Sequence, residues 1–492
     1  MSPLAALSQI LAGLPVRSGR PRVAVAWSGG LDSTVLLHCA TLLREQLDFD
    51  LLAIHIHHGL QPSADQWAAL CAEQAAAWQV PLSVMRVRVD AKEIQALGLE
   101  AAARAARYGA LARCPVDLLL LAHHRDDQAE TVLLQLLRGA GPAGLAAMGA
   151  DSVPASHLLR HPVARPFLAL PRERLLDWAQ VHALLWSEDP SNADTRLDRN
   201  HIRQRVGPVL AARFPAWQAA LARSAAWAAE AQALLAELAE LDLKHIGDVG
   251  TGPRDPACLP VAASDLRTLS EVRQRNLLRH LLSGQGVPSP PAARLTEWLI
   301  QLAAPPDRCP ELVWQDWILR RWGGHLWLEP RLDEPVWKAD SLIWEGREAA
   351  SLFLPGCGML QFKPQSEPPP DAPGAGSVDR RTDLLSRSLQ HDFEHGIGNS
   401  ALSLREGCGA LRLAPCSGSL ALQVHAGGPH RLLRKLFQER RVPPWRRARV
   451  PGLFAGRELV AVPGVAVAAA WRGQVGEDSW QLIWRDAALC PS

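Results

Sequence analysis

The sequence predicts an α/β chain. An N-terminal domain with a parallel sheet should be followed by a mainly helical central domain and a small α+β C-terminal domain. Three observations predict this. Up to about Gly149, short apolar runs alternate with segments of helical spacing, the rhythm of a mostly parallel sheet covered on both faces. From Arg172 onward, Ala/Leu-rich helical periodicity dominates, and the last hundred or so residues return to short β-like runs around one basic helix. A length of 492 residues suits about three domains. The expected partition is 1–215, 216–345, a proline-rich insert or linker over 346–395, and 396–492.

Leu4, Leu7, Leu11 and Leu14 share a helical face and lack a preceding basic region, so they predict an amphipathic helix, not a signal peptide. Val23 to Trp27 is an apolar strand between Pro21 and Ser28-Gly29-Gly30, and Ser33 to Leu47 follows as helix. Leu51 to His57, Leu82 to Val89 and Asp117 to Ala122 read as strands, with helices over Asp65 to Trp78, Glu100 to Ala112 and Asp127 to Leu137. Arg172 to Arg213 is helical around the turn Glu188-Asp189-Pro190-Ser191-Asn192, and Ala219 to Leu243 is a long connecting helix. Gly139-Ala140-Gly141-Pro142-Ala143-Gly144 matches a dinucleotide string but follows a helix, not a strand. Gly139 therefore reads as a helix C-cap. Pro364 to Gly376 has linker composition.

Composition narrows the classes. Hydrophobic residues make up 48% and charged residues 21%, which excludes a wholly disordered, collagenous or coiled-coil chain. No apolar run reaches the length of about 18 residues that a membrane span needs. Net charge is +2, so any nucleic-acid surface must be local. The nine cysteines include no CxxC pair, which argues against a disulfide framework or a four-cysteine zinc site and places the chain in a reducing cytoplasm.

The sharpest motif is Ser28-Gly29-Gly30-Leu31-Asp32-Ser33-Thr34, between a strand and a helix. Glycines let backbone amides approach an anion, and a helix start presents N–H groups and a positive dipole end. Ser28, Ser33 and Thr34 add hydroxyls, while Asp32 would hold Mg²⁺, since a bare carboxylate repels phosphate. No Gly-Lys-Ser/Thr follows, so this is not a Walker A loop. The plainer reading is a tight turn with an ordinary cap.

His55, His57 and His58 close one strand, and His123, His124, Asp126, Asp127 and Glu130 close another. In a parallel sheet both clusters reach the rim that carries the Ser28 loop. Asp127 and Glu130 share a helix face and could bind Mg²⁺ or an ammonium, or merely form a capping box. The histidine spacings do not match zinc signatures.

Between His430 and Arg449 lie Arg431, Arg434, Lys435, Arg440, Arg441, Arg446, Arg447 and Arg449 against Glu439 alone. Contact with nucleic-acid phosphate is the functional reading, with Trp445 stacking on a base or packing under the arginines. A solvated helix face is the alternative. Trp314, Trp317, Trp322 and Trp327 read as core.

The loop resembles that of the N-type ATP pyrophosphatases, or PP-loop enzymes. Ile54 to Leu60, Leu99-Glu100 through Arg104 to Arg107-Tyr108, His123 to Thr131 and Arg138 to Gly141 look like successive motifs of the tRNA(Ile)-lysidine synthetase family. Arg165-Pro166-Phe167, Asp189 to Asn192 and Arg199 to Arg203 continue in order, and Lys435 to Glu439, Val442 to Trp445 and Leu459 to Gly464 resemble its C-terminal domain. Gln61 stands where that family usually has Arg. The resemblance implies a Rossmann-like PP-loop domain and a ligase that joins free L-lysine to C2 of the wobble cytidine in the CAU anticodon of tRNA(Ile). The cytidine carbonyl oxygen attacks ATP at the α-phosphorus, and the lysine ε-amine then displaces AMP. The implied assignments are Ser28 to Thr34 on ATP, Asp32 and Asp127 on Mg²⁺, Asp127 and Glu130 on the lysine ammonium, and Arg203 on phosphate charge. Arg431, Arg434, Lys435, Arg440, Arg441, Arg446 and Arg447 are expected on tRNA. The expected partners are tRNA and lysine, with no membrane; a homodimer is left open. The rivals are a tRNA 2-thiolation enzyme on the same loop and a tRNA-binding protein with a dead nucleotide site.

Overall fold

The computed structural model describes the chain apart from residues 15–18, 58, 60–63, 91–93, 96–97, 153–160, 189–193, 247–254, 306–307, 333–342, 346–349, 355–356, 366–402, 406–409, 474–478 and 487–492. His58, Gln61, Asp189 to Asn192 and most of the Pro364 to Gly376 linker thus lie outside the described residues. The chain divides into two compact units, 1–238 and 239–492.

The first unit is built on strands β1 (Arg22–Ala26), β2 (Asp50–His57), β3 (Leu82–Arg86), β4 (Leu118–Leu120), β5 (Asp151–Ser152) and β6 (Val163–Ala164), in spatial order β3-β2-β1-β4-β6-β5. All neighbours run parallel except β5 against β6. β1 is central, pairing Val23 with both Leu51 and Leu118. Helices over Pro3–Leu11, Leu31–Leu43, Ala64–Ala77, Leu99–Ala112, Arg125–Leu137 and Arg172–Val181 accompany the sheet.

Two cores explain why β1 is apolar throughout. Val23 and Val25 join Leu36, Leu37 and Phe49 in one, while Ala24 joins Ile54, Tyr108 and Leu119 in the other. Alternating side chains of one strand thus serve both faces, and each fully buried aliphatic contributes roughly 1.5–3 kcal/mol. Trp27 is buried at the end of β1, stacked on Trp78 with centroids 6.3 Å apart. Its indole N–H donates to Thr34 Oγ1 at 3.0 Å, which pins the loop between them.

The helix Trp217–Ile246 carries the chain into the second unit. There the helices Glu271–Gly284 and Ala292–Gln301 accompany an antiparallel sheet of β7 (Cys258–Ala262), β8 (Glu311–Trp314), β9 (Trp317–Trp322) and β10 (His325–Pro330), in order β7-β10-β9-β8. The helical middle region therefore also carries a sheet. Trp314 and Trp327 are buried, as the core reading of that cluster expects, whereas Trp317 and Trp322 are half-buried.

The remainder holds β11 (Ile343–Trp344), β12 (Ala350–Leu354), β13 (Gly358–Gln365), β14 (Ser403–Arg405), β15 (Leu411–Pro415), β16 (Ala421–Leu422), β17 (Arg431–Leu432), β18 (Pro451–Ala455), β19 (Glu458–Val462), β20 (Ala466–Val467) and β21 (Ser479–Asp486). They form sheets β11-β15-β18-β19-β20 and β12-β13-β21-β14, with a β16-β17 pair. This corrects the start of the expected 346–395 linker. β12 and β13 pair with each other, and β13 pairs with β21 along its whole length, so this stretch belongs to the C-terminal sheet. Leu360 and Phe362 explain it, since both are buried in the C-terminal core. The expected basic helix is two helices, Leu433–Glu439 and Pro444–Arg447, because Arg441 takes a left-handed φ of 51° and Pro443 follows.

Among the described residues, no helix is long and apolar enough to cross a membrane.

Candidate active site

The rim at the carboxyl ends of β1, β2 and β4 encloses a cavity of about 450 Å³. Ser28, Gly30, Asp32 and Ser33 line it from the loop after β1, His55 and His57 from β2, and His123 and Asp127 from the segment after β4. Parallel topology thus brings together the three clusters that the sequence singled out.

Loop shape comes from glycine and serine. Gly29 has φ +83°, a left-handed conformation costly for other residues, and a Cβ there would meet Cys71 Sγ at 3.0 Å. Gly30 caps the Leu31–Leu43 helix, whose first-turn amides lack intrahelical acceptors. The Ser28 and Ser33 hydroxyls lie 3.0 Å apart, and Ser33 Oγ also accepts from the Ser28 amide at 3.2 Å. Two of the seven loop assignments need correction at the side-chain level. Thr34 is buried and bonded to Trp27, and the Leu31 side chain is in the core, so only their backbone belongs to the loop.

Carboxylates surround His124. Its Nε2 lies 3.6 Å from Asp32 Oδ2 and 3.3 Å from Asp127 Oδ2. His124 caps the Arg125–Leu137 helix in a capping box closed by Asp127, whose Oδ2 accepts the His124 amide at 3.1 Å. Asp127 therefore does cap, with His124 as partner. Burial opposes charge on His124, but the Asp32 hydrogen bond and the Asp127 and Asp32 charges outweigh it and raise its pKa. Burial likewise opposes ionisation of Asp127, yet His124 and Arg199 hold its carboxyl below the ordinary range. His123 shows the reverse balance, because burial pushes its pKa down to about 3.

Glu130 is buried beside these groups, and both its oxygens are engaged. Arg199 Nε donates to Oε2 at 2.9 Å, and Arg203 Nε donates to Oε1 at 2.7 Å. Arg203 Nη2 bridges to Asp127 Oδ1 at 3.2 Å and Glu130 Oε2 at 3.0 Å. Glu130 and Arg203, expected on an ammonium and on phosphate, here satisfy each other. Arg199 was not singled out by the sequence reading. The signal was its i,i+4 spacing from Arg203, which puts both guanidiniums on one helix face. Arg199 lies on the short helix Asp198–His201 and Arg203 on the π-helical turn Ile202–Val206 that continues it.

Among the described residues no group of three or more His, Cys, Asp and Glu side chains could hold a metal ion. Asp32 Oδ1, however, is a buried oxygen without a hydrogen-bond partner, its nearest cation being Arg172 Nε at 3.5 Å. That unbonded Asp32 oxygen suits Mg²⁺, which takes few protein ligands and keeps several waters, whereas the Asp127 oxygens are taken by the His124 amide and Arg203.

The basic segment divides. Arg434, Lys435, Arg440 and Arg441 are exposed, Arg431 pairs with Glu439, and Arg447 donates from Nε to Val442 O at 3.0 Å. Arg446 is fully buried, bonded to Glu329 and Asp255. Its expected tRNA contact is corrected, because the guanidinium is spent on carboxylates of its own unit. Of the two readings of Trp445, the packing one holds: Arg320 lies over its ring at 4.7 Å, and its indole N–H donates to Glu329 Oε2 at 2.7 Å.

The parallel sheet with this loop defines an ATP-using enzyme of the PP-loop class, and residues 5–210 match the PP-loop domain family. Residues 262–327 match the TilS substrate binding domain, and residues 411–484 match the TilS substrate C-terminal domain. The tRNA(Ile)-lysidine synthase of Alkalilimnicola ehrlichii is 42% identical, over 92% of this chain and 91% of the relative. That of Ralstonia nicotianae is 39% identical over 95% and 96%, and that of Serratia proteamaculans 37% over 97% and 99%. The chain belongs to the tRNA(Ile)-lysidine synthase family.

Proposed function

We propose that this enzyme joins L-lysine to C2 of the wobble cytidine in the CAU anticodon of tRNA(Ile), driven by ATP. The observation that carries the reading is the rim cavity lined by Ser28, Asp32, His123 and Asp127 together, in a chain matched over 97% of its length by a lysidine synthase. The cytidine C2 oxygen attacks the α-phosphorus of ATP and pyrophosphate leaves. The lysine ε-amine then attacks C2 and AMP leaves.

The chain's own residues fit these steps. Helix-start amides and the Ser28 and Ser33 hydroxyls bind the pyrophosphate end, where preorganised donors stabilise the charge of the leaving group. Asp32 and Asp127 would hold Mg²⁺, which neutralises phosphate charge when bound. Glu130 and Arg203 exchange partners on substrate binding: the ammonium takes Glu130 and Asp127, and Arg203 turns to phosphate. Neutral His123 adds no like charge beside the ammonium. Arg434, Lys435, Arg440 and Arg441 meet tRNA phosphates. The enzyme acts in the cytoplasm.

Replacing Glu130 by Gln tests the exchange. The KM for lysine should rise about tenfold or more, with the ATP KM nearly unchanged. An unchanged lysine KM would remove Glu130 from the ammonium site.

A further inference from the structure

The inward half of the basic segment meets a buried acid on the middle domain. Glu329, at the end of β10, is 1% exposed and Arg446 is 0% exposed. Arg446 Nε donates to Glu329 Oε1 at 2.5 Å, and its Nη1 donates to Asp255 Oδ2 at 2.5 Å. Trp445 Nε1 takes the other Glu329 oxygen at 2.7 Å. Arg320 and Arg449 each bring a guanidinium nitrogen within 3.6 Å of that same oxygen. Aromatic faces close the knot. The Trp445 ring stands edge-on to Trp322 and Trp327, with centroids 5.9 and 6.2 Å away. Arg320 lies over Trp445 at 4.7 Å, and Arg446 lies over Trp327 at 5.4 Å.

Such a cluster is a poor way to gain stability, because every charge must be stripped of water. A fully satisfied buried network does impose one geometry, which an apolar contact does not. The geometry at stake is that of the outward charges. Arg440 and Arg441 precede Trp445 by a few residues, through the left-handed turn at Arg441, so anchoring Trp445 and Arg446 sets where they stand.

We propose that Glu329, acting through Arg446 and Trp445, is a positioning residue for tRNA. It fixes the exposed basic face of the C-terminal domain on the middle domain, so that both meet tRNA as one preorganised surface. The inference rests on the tRNA reading of Arg434, Lys435, Arg440 and Arg441 given above. Joined binding surfaces gain effective concentration and pay less to order on binding.

The test uses the full-length chain and an unmodified tRNA(Ile) transcript. Glu329→Gln should raise the tRNA Kd and KM about tenfold or more. The kcat at saturating tRNA and the ATP KM should hold, and hydrogen exchange should show both domain cores intact. Trp445→Phe keeps an aromatic ring, smaller than the indole, and loses the N–H bond; it should raise the tRNA Kd by a few-fold, and it decides the matter if Glu329→Gln fails to fold. Tight tRNA binding by the folded variants, equal to that of the parent, overturns the inference. A control, Arg440→Glu with Arg441→Glu, separates the two readings. If it weakens tRNA binding while the knot variants do not, positioning alone fails. If it too binds normally, the tRNA reading has failed and the inference falls with it.

Discussion

The Ser28 loop and the Arg431–Arg449 segment are the two regions whose residues spoke most plainly in the sequence, and the structure treats them differently. In the loop, ligand-binding capacity resides in backbone amides, glycine conformations and a helix start, all fixed within a few residues. In the basic segment it resides in long side chains whose direction depends on what packs beneath them. Gly29 needs its left-handed φ whatever surrounds it, whereas Arg446 points inward only because Glu329 and Asp255 wait there. Local backbone chemistry can be read from sequence; side-chain direction across a domain contact cannot.

The comparison can be broken most sharply at Asp32. Asp32→Ala should lower ATP-dependent pyrophosphate release on the order of 100-fold or more and leave tRNA binding intact. Retained turnover would remove Asp32 from the metal site and cast doubt on the loop reading. Next is the basic face. Arg440→Glu with Arg441→Glu should weaken tRNA binding about tenfold or more and flatten its dependence on salt, with ATP affinity nearly unchanged.

A smaller effect is expected at Gly29. Gly29→Ala should destabilise the first unit by about 1–2 kcal/mol through the left-handed φ alone, measured by urea unfolding. Adding Cys71→Ala should recover only the steric part, since the Cβ meets Cys71 Sγ at 3.0 Å. Full recovery would mean the backbone is unstrained.

The smallest effect is on stability against pH. Burial lowers the pKa of His38, helped by the His182 charge, and lowers that of His55, each from an ordinary value of 6.5. His38 Nδ1 accepts the Trp178 indole N–H at 3.2 Å, a bond that protonation of that nitrogen would break. At these two histidines the unfolded chain binds more protons, so their contribution to stability is full above about pH 6.5 and falls as pH drops through that value. Thermal unfolding between pH 5 and 8 measures this, and His38→Gln should flatten part of the slope. A melting temperature that rises toward pH 5 would contradict the assignment.

Much of the first unit was legible in the sequence. Strand–helix alternation, bounded by Pro21, Gly29 and Gly139, placed the sheet and the rim, because parallel strands buried on both faces read as apolar runs. Gly139 does terminate its helix, with φ +70°. What escaped was determined by distant partners. Glu130 looked free for an ammonium because its two arginines arrive from some 70 positions away. β12 and β13 were absorbed into a linker because the proline-rich tract follows them directly, while their partner β21 lies more than a hundred residues later. The middle sheet was obscured by the tryptophans of β8 to β10, which signalled burial without signalling strand pairing.

The central claim is that this cavity ligates lysine to a CAU-anticodon tRNA(Ile) at the expense of ATP. The most direct test is incorporation of labelled L-lysine into an unmodified tRNA(Ile) transcript, with ATP and Mg²⁺ and with tRNA(Met) as control. Labelling of the isoleucine transcript alone, accompanied by release of pyrophosphate and AMP, is the predicted result. Pyrophosphate release without lysine incorporation, or tRNA binding with neither signal, would contradict it.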